Sequence, residues 1–303
     1  MTSLKTVVGL GEILWDMLPS GRQLGGAPAN FAYCSHLLGD RGVVASRGGS
    51  DELGADIRQS LLALGVTDQF LQVDPEHRTS TVHVQVDAQG QPRFDIVHSV
   101  AWDFLEWTPT WKALAQSADA VCFGSLAQRH SQSRETILRF VEATRPDALR
   151  IFDVNLRQNF YSLETISESV AKSNVVKLNH EEVAVVRELL HIEAADEVSF
   201  CHELIEKFRL KAICITRGSN GSLVCDGHTQ LEHPGFRVPI EDTIGAGDAF
   251  TAALVHELLR DSTLERMNDS ANRMGAWVAS KRGGMPGLPE GGLAEALAEL
   301  QPR

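Results

Sequence analysis

The stretch "EDTIGAGDAFTAALVHELL", residues 241–259, places a glycine-rich turn directly before an apolar helix. Gly245, Ala246 and Gly247 would present unpaired amide N–H groups at the start of that helix, where the helix dipole also favours a bound anion such as phosphate. Asp248 follows at once, and a carboxylate beside a phosphate can accept the proton of an attacking alcohol. An acid that only interacted with the helix dipole would leave both glycines unexplained. The stretch therefore predicts phosphoryl transfer with Asp248 as the base.

Outside this stretch, short β-type runs alternate with helical patterns along most of the chain. This alternation predicts an α/β fold with a mostly parallel sheet and helices on both faces, and ligands of such sheets bind at the carboxyl ends of the strands. The β-type runs are "KTVVGLGEIL", "GVVASRGG", "DAVCFGS", "LRIFDVN", "NVVKLN" and "KAICITRG", and the helical patterns include "ANFAYCSHLLG", "DELGADIRQSLLALG" and "SRETILRFVEAT".

One region departs from this alternation. Residues 79–99, "TSTVHVQVDAQGQPRFDIVHS", alternate apolar and polar side chains on both sides of a turn that contains Gly and Pro, which predicts a β-hairpin. A hairpin inserted in a parallel α/β chain is a candidate lid, which we expect to pair with residues 14–24. The pattern alone also fits a hairpin that only decorates the surface.

Composition limits the classes of function. The formal charge of −12 argues against a general nucleic-acid binder, because affinity for the phosphate backbone comes mostly from clustered Lys and Arg. The five cysteines are odd in number and form no C-x-x-C pair, so we expect buried free thiols and a reducing compartment. No apolar run has the length of a membrane span, and the N-terminus lacks a signal peptide, which predicts a cytoplasmic protein without a membrane partner.

Polar residues that follow the predicted strands are candidates for ligand contacts. Asp16 follows the first strand, and Asn30 lies in the first turns of the helix after the glycine pair of "GGAPAN". An Asn amide donates and accepts, as a sugar hydroxyl requires. The spacing equally fits a solvated acid and a helix-capping Asn.

The next strand ends carry further candidates. In "DVNLR", Asp153, Asn155 and Arg157 occupy alternate positions and are expected to point to one face, as a phosphate or substrate contact or as a strand-end salt bridge. Asn179 and Glu182 have the spacing and chemistry for a hydrated Mg²⁺, although first-turn acids also interact with the helix dipole.

In "TRGSNGSLV", Thr216 and Gly218 could contact a nucleotide or form a plain turn.

Together these motifs resemble the ribokinase-like (PfkB) carbohydrate kinase family. "GGAPAN" resembles the first signature of that family and "DTIGAGDAF" the second, while "DVNLR", the N-x-x-E of residues 179–182 and "TRGSNGSLV" occur in the family's order. The resemblance covers essentially the whole chain. It implies a single ribokinase-like domain over residues 1–303: a three-layer sandwich with a mostly parallel central sheet and a small β lid from about 14–24 and 79–101.

With the patterns above, the resemblance implies ATP-dependent phosphorylation of a sugar hydroxymethyl group. Asp248 would be the base, with Gly245, Ala246 and Gly247 as the anion hole and Arg157 reaching the sugar or the transferred phosphate. The residues implied for the sugar are Asp16, Gly25, Gly26, Asn30, Asp153 and Asn155. Those implied for ATP are Asn179, Thr216, Gly218, Gly221, Gly245, Gly247 and Asn272. Glu182 would organise Mg²⁺ through water; K⁺ would bind near Asp242, Ile244 and Gly283. The lid could pair in a homodimer.

Within the family, "GEILWDMLP" and "DVNLR" most resemble bacterial fructokinases, so fructose or a related ketose is the expected acceptor. One departure affects this expectation. Fructokinases commonly have Gly-Ala-Asp after the lid hairpin, whereas this chain has Ala101-Trp102-Asp103, and Trp102 could fill part of the sugar pocket or stack on a ligand. A ketodeoxy sugar acid, a nucleoside or another small alcohol are the alternative acceptors. A catalytically silent regulatory binder is a further alternative, although the base and the glycine loop are both present.

Overall fold

The structure of the protein is a computed structural model that describes residues 4–18, 21–86 and 92–303. The described strands are β1 (Thr6–Leu10), β2 (Leu14–Leu18), β3 (Gly21–Gly25), β4 (Arg41–Gly49), β5 (Leu71–Asp74), β6 (Ser80–Val86), β7 (Pro92–Ile96), β8 (Ala120–Gly124), β9 (Leu149–Asp153), β10 (Val175–Asn179), β11 (Ala212–Thr216), β12 (Ser222–Cys225), β13 (Gln230–His233), β14 (Phe236–Arg237) and β15 (Gln301–Pro302). The described helices are α1 (Ala27–Leu37), α2 (Glu52–Ala63), α3 (Pro109–Ser117), α4 (Ser131–Glu142), α5 (Leu163–Lys172), α6 (His180–Leu189), α7 (Glu197–Phe208), α8 (Ala246–Leu258), α9 (Leu264–Ala279) and α10 (Leu293–Ala298). Short 3-10 helices span Ala101–Phe104, Leu126–Gln128 and Gly218–Asn220.

Nine of the described strands form the central sheet in the order β13-β12-β11-β10-β9-β8-β1-β4-β5. Neighbours from β11 to β5 run parallel, whereas β12 and β13 add an antiparallel edge. Parallel neighbours need long crossovers, and the intervening helices provide them. The predicted β-type runs and helical patterns correspond to these elements.

Helices cover both faces of this sheet because its strands are apolar on both faces. Along β10, Val176 and Leu178 face one core, which also contains Phe140 of α4 and Phe200 of α7. Val175 faces the other core, which contains residues of α1, α2, α8 and α9. The predicted architecture, a mostly parallel sheet between two helix layers, is therefore confirmed. The cysteines are buried, and no disulfide joins them in the described residues.

A second sheet has the order β3-β2-β6-β7, in which β2 and β6 run parallel and the outer pairs run antiparallel. It contains the described parts of the two segments predicted to form a lid. Residues 19–20 and 87–91, which include the predicted hairpin turn, lie outside the described residues. Over the residues that are described, none of the helices combines the length and the apolar content that a membrane crossing requires.

Candidate active site

Two cavities meet at the carboxyl ends of the central strands, where α8 begins. The first has a volume of about 470 Å³ and lies between the central sheet and Leu14, Asp16, Val82 and Ile96 of the second sheet. The second has a volume of about 370 Å³ and lies between β11, α8 and α9. Both cavities are lined by Asn179, Thr216, Thr243 and Gly247. A ligand that reached from one cavity to the other would therefore pass the glycine-rich turn.

The turn needs its first glycine for conformation and for space. Gly245 caps α8 with φ 75°, a left-handed conformation that L side chains rarely adopt. A Cβ at this position would lie 2.3 Å from Cα of Gly284. The amide of Ala246 donates to the carbonyl oxygen of Thr243 over 3.3 Å, whereas the amide of Gly247 has no acceptor within the helix and is available to an anion in the cavities. The structure thus places the predicted anion-binding turn at the junction of the two cavities.

Asp248 lies in the first turn of α8 and lines the first cavity. Its Oδ2 accepts a hydrogen bond of 2.8 Å from Nδ2 of Asn30. Burial raises the pKa of Asp248 to about 6, and the nearby Asp153 carboxylate adds to this rise. The Asn30 hydrogen bond opposes the rise, as does the positive charge of Lys177. The carboxylate is therefore mostly ionised at neutral pH and still basic enough to accept a proton.

Sequence reasoning missed Lys177, a charged residue within the buried strand β10. Parallel register places Lys177 beside Asp153 of β9, and Nζ donates to Oδ1 of Asp153 over 3.1 Å. Although burial lowers the pKa of Lys177, the neighbouring carboxylates, Asp153 foremost, raise it overall, so the residue stays charged. A Cβ placed on Gly247 would lie 3.1 Å from Nζ. The ammonium group thus adds positive charge beside the amides of the turn; a lone Lys within "NVVKLN" was the available signal.

The expectation that Asp153, Asn155 and Arg157 share one strand face is wrong. Strand β9 ends at Asp153, and Asn155 has φ 41°, which breaks the alternation of side chains. Asp153 is instead held by Lys177 and by Oγ1 of Thr251, at 3.1 Å each. Asn155 and Arg157 do line the first cavity, and Arg157 is exposed. The structure therefore brings these two to the cavity and assigns Asp153 to a buried ion pair.

The glycine pair before α1 approaches acidic residues closely. A Cβ on Gly25 would lie 2.3 Å from Oδ2 of Asp16, and Gly26 has φ 108° with its Cβ position 2.6 Å from the carbonyl oxygen of Glu12. Burial raises the pKa of Asp16 to about 6, and the Asp242 carboxylate adds to the rise. Gly26, Asp16 and Glu12 all line the first cavity. Sequence reasoning did not single out Glu12.

Trp102 requires a correction. The expectation placed its ring in the sugar pocket, but the side chain is 0 % exposed and belongs to the hydrophobic core. The 3-10 helix Ala101–Phe104 turns the ring inward, where the guanidinium carbon of Arg129 lies 4.1 Å from the ring centroid. Trp102 therefore supports the base of the second sheet and makes no surface for a ligand.

Asn179 and Glu182 form a capping box at the start of α6. Oδ1 of Asn179 accepts from the amides of Glu181 and Glu182, and Oε2 of Glu182 accepts from the amide of Asn179 over 2.8 Å. Oε1 of Glu182 accepts from the amide of Leu156 over 2.7 Å. Glu182 is 5% exposed and is not among the residues that line either cavity, so it can contact an ion there only through water, and Mg²⁺ keeps several waters.

The second cavity contains the residues predicted to bind the nucleotide apart from Gly245, which lines only the first cavity. Thr216, Gly218, Gly221 and Asn272 line it, beside apolar groups that include Phe236. Gly221 has φ 81°, and a Cβ there would lie 1.8 Å from the carbonyl oxygen of His233. The Asn272 amide donates to Oγ of Ser222 and to the carbonyl of Asn268, at 2.7 Å each. The backbone of the turn at 218–221 therefore forms one wall of a largely apolar cavity.

The segments predicted to hold K⁺ lie together. Oδ1 of Asp242 accepts from the amide of Ile244 over 2.9 Å, and Oδ2 accepts from the amide of Gly283 over 3.2 Å. This carboxylate joins the loop before α8 to the loop after α9. Among the described residues no group of three or more His, Cys, Asp or Glu side chains has the geometry of a metal site. A K⁺ ion would rely mainly on carbonyl oxygens there.

Residues 21–291 match the model of the pfkB family of carbohydrate kinases. The chain belongs to this family. It is 31% identical to the fructokinase of Escherichia coli over 300 residues, which cover 92% of this chain and 95% of that protein. The crystal structure of the fructokinase of Vibrio cholerae O395 in its fructose, ADP and calcium ion bound form superposes with a TM-score of 0.81 at 27% identity, covering 98% of this chain and 99% of the other.

An uncharacterised sugar kinase of Pyrococcus horikoshii, in complex with ATP, superposes with a TM-score of 0.77 at 27% identity and covers 93% of this chain and 94% of the other. Membership of the family makes the chain a phosphotransferase with an alcohol group as acceptor. It is an ATP-dependent carbohydrate kinase, and the predictions of family and enzyme class are confirmed.

Proposed function

We propose that this kinase transfers the γ-phosphate of ATP to a primary hydroxyl of fructose or a related ketose. The observation that carries the proposal is the junction of the two cavities at Gly245–Asp248. Asp248 lines only the first cavity, whereas Gly247 lines both. An acceptor in the first cavity would meet the base, and a nucleotide in the second would extend its phosphates along the turn. The fructokinases among the relatives support a ketose.

The proposed reaction depends mainly on position and charge. The amides of Gly245, Ala246 and Gly247 bind the phosphoryl oxygens, and the ammonium group of Lys177 adds a positive charge beside them. Asp248 accepts the proton of the attacking hydroxyl. Asn30 keeps the Asp248 carboxylate in place through Nδ2, and its Oδ1 is buried without a partner among the described residues. That oxygen can accept from a second hydroxyl of the sugar.

We assign the sugar-binding and ATP-binding residues by the cavity that each of them lines. Asp16, Gly26, Asn155 and Arg157 bind the sugar, and Thr216, Gly218, Gly221 and Asn272 bind ATP. Bound Mg²⁺ would neutralise phosphate charge, with Glu182 contacting it through water. K⁺ would bind between residues 242–244 and 283. The second sheet would act as a lid, and since β3 and β7 are its edge strands, a homodimer could form there by strand pairing.

The substitution Asp248→Asn tests the base. It removes the proton acceptor and keeps the shape, so turnover should fall by about two to four powers of ten while ATP affinity stays within about twofold. Coupled ADP release with fructose and other ketoses measures turnover, and calorimetric titration with ATP measures affinity. Asp147→Asn is the matched control, because Asp147 is exposed and pairs only with Arg145 in the described contacts. Retention of more than about a tenth of wild-type turnover contradicts the assignment.

A further inference from the structure

Glu12 is a buried acid on the wall of the first cavity. It follows β1, is 3% exposed and lines the cavity with Asp16 and Asp248. Its Oε2 is buried and has no hydrogen-bond partner among the described residues. A buried carboxylate oxygen without a partner is costly in a folded protein, since it has lost water and gained nothing. Because Glu12 lines the cavity, a hydroxyl group of a ligand bound there can supply the missing hydrogen bond.

The charges around this cavity restrict the ligand. Among the described lining residues, the carboxylates of Glu12, Asp16 and Asp248 are opposed by the cations Arg157 and Lys177. Lys177 is already paired with Asp153 and lies beside Gly247, at the phosphate end. Arg157 is exposed, and its Nη1 donates to the carbonyl of Leu156 over 3.1 Å. The end of the cavity away from the turn thus has more negative than positive groups.

We propose that Glu12 binds a hydroxyl group of the acceptor and that the Glu12, Asp16 and Asp248 carboxylates together restrict the cavity to uncharged polyhydroxy acceptors. A hydroxyl can donate to an ionised Glu12 or accept from a protonated one, so it satisfies Oε2 in either state. The carboxylate of a sugar acid can only accept, and it would lie among like charges in the cavity. This inference rests on the proposed function and excludes ketodeoxy sugar acids from it.

The same carboxylate has a structural contact that the test must separate. Burial raises the pKa of Glu12 to about 7, and hydrogen bonds from the amides of Glu12 itself and of Ala27 lower it. Ala27 begins α1, so one carboxylate oxygen helps to fix the start of that helix. Glu12→Gln preserves the size of the side chain and one carbonyl oxygen, which can still accept from Ala27. It removes the charge and replaces the second oxygen by an NH₂ group.

The experiment compares the wild type, Glu12→Gln and the exposed control Glu135→Gln with fructose and with 2-keto-3-deoxygluconate. The wild type should prefer fructose by at least about a hundredfold in kcat/KM. In Glu12→Gln the KM for fructose should rise about fivefold to tenfold with an unchanged KM for ATP, because the NH₂ group can still donate to the hydroxyl but the hydrogen bond no longer involves a charged group. The preference for fructose should shrink because the sugar acid meets one negative charge fewer. Glu135→Gln should match the wild type.

The outcomes separate the inference from the proposed function. If the wild type phosphorylates fructose and Glu12→Gln keeps both KM values, Glu12 does not bind the acceptor, and only this inference is overturned. A wild type that uses the sugar acid as well as fructose also overturns it, and this result needs no variant. If the wild type phosphorylates no ketose, the proposed function itself is wrong. A melting temperature for each variant, measured without ligand, identifies a general loss of folding.

Discussion

The Nδ2 group of Asn30 donates to the Asp248 carboxylate over 2.8 Å and stabilises its charged form, which lowers the pKa that burial raises to about 6. Asn30→Ala removes this hydrogen bond, so the pKa of Asp248 should rise further. The base must be ionised, and kcat/KM for the sugar should therefore fall below about pH 6 in the wild type and at a higher pH in the variant. A pH profile of kcat/KM checks the shift.

Glu12 titrates in the same range, with a pKa of about 7, so the two profiles are also measured in the Glu12→Gln background. In that background too, kcat/KM should begin to fall at a higher pH when Asn30 is replaced by Ala than when Asn30 is present. An acidic limb that does not move in either background shows that Asn30 does not control the charge of Asp248.

Lys177 offers a second prediction at this scale. Lys177→Met leaves Asp153 buried without its countercharge and should lower the free energy of unfolding by about 3–5 kcal/mol. The double variant Asp153→Asn/Lys177→Met removes both charges and should recover much of this loss. Turnover should stay low in both variants, because the positive charge beside Gly247 is missing. Urea unfolding and steady-state kinetics measure the two effects. Recovery of turnover together with stability would show that Lys177 is only structural.

Individual side chains were the least predictable part of the site. Asp248 was recognised because its function follows from its position after two glycines. Lys177 and Glu12 were missed because a charged residue in or after an apolar strand gives no indication of which cavity it faces. Trp102 was misjudged for a related reason: whether an aromatic side chain points to a ligand or to the core depends on the turn that carries it, here a 3-10 helix.

The turn before α8 is the element on which the two cavities converge, and Gly245 tests it. Gly245→Ala places a methyl group 2.3 Å from Cα of Gly284 at a residue with φ 75°. The strain should cost about 1–3 kcal/mol of stability and displace the amides that bind phosphate, so turnover should fall more than tenfold. Gly287→Ala is the matched control, since a Cβ there meets nothing within 4 Å. Urea unfolding and coupled ADP release measure both variants.

If Gly245→Ala retains the turnover of Gly287→Ala, the shape of the turn does not determine phosphate binding. A loss of turnover in both variants would mean that the glycine loops respond to any added methyl group.

Elements with a clear apolar period were predictable, whereas their ends were not. The runs "NVVKLN" and "KAICITRG" correspond to β10 and β11, because buried parallel strands are apolar on both faces. The pattern "DVNLR" suggested a strand that continued to Arg157. The chain leaves the sheet at Asp153, and the left-handed conformation of Asn155 is a local choice that alternation of polar residues cannot reveal.

At the scale of the molecule, strand order explains why distant motifs form one site. The order β11-β10-β9-β8-β1 brings the ends of these parallel strands to one edge, and the register pairs Asn179 with Thr216. The general rule that ligands bind at such an edge was available from the sequence. The strand order itself could not be predicted from the sequence, because it depends on which connections join neighbouring strands and which pass over a strand.

The link between the second sheet and the core gives a prediction for the whole molecule. Arg129 donates to both carboxylate oxygens of Asp103 at 2.8 Å, to the carbonyl of Val97 at 2.6 Å, and stacks on Trp102. Val97 directly follows β7, so this arginine fixes the end of the second sheet. If the sheet closes over the sugar, Arg129→Met should weaken closure. The variant removes the ion pair with Asp103 and the hydrogen bond to the carbonyl of Val97 at the end of β7.

We expect Arg129→Met to raise the KM for the sugar and, with sugar present, to increase ATP hydrolysis relative to sugar phosphorylation, because the closed sheet excludes water less completely. It should also lower the free energy of unfolding by about 3 kcal/mol, since Asp103 and Arg129 are buried. Arg134→Met is the matched control: it breaks pairs with Glu164 and Glu168 on α5 and should cost at most about 1 kcal/mol. Equal ratios of ATP hydrolysis to sugar phosphorylation in both variants would show that the second sheet does not exclude water from the site. A higher ratio in Arg129→Met alone supports closure.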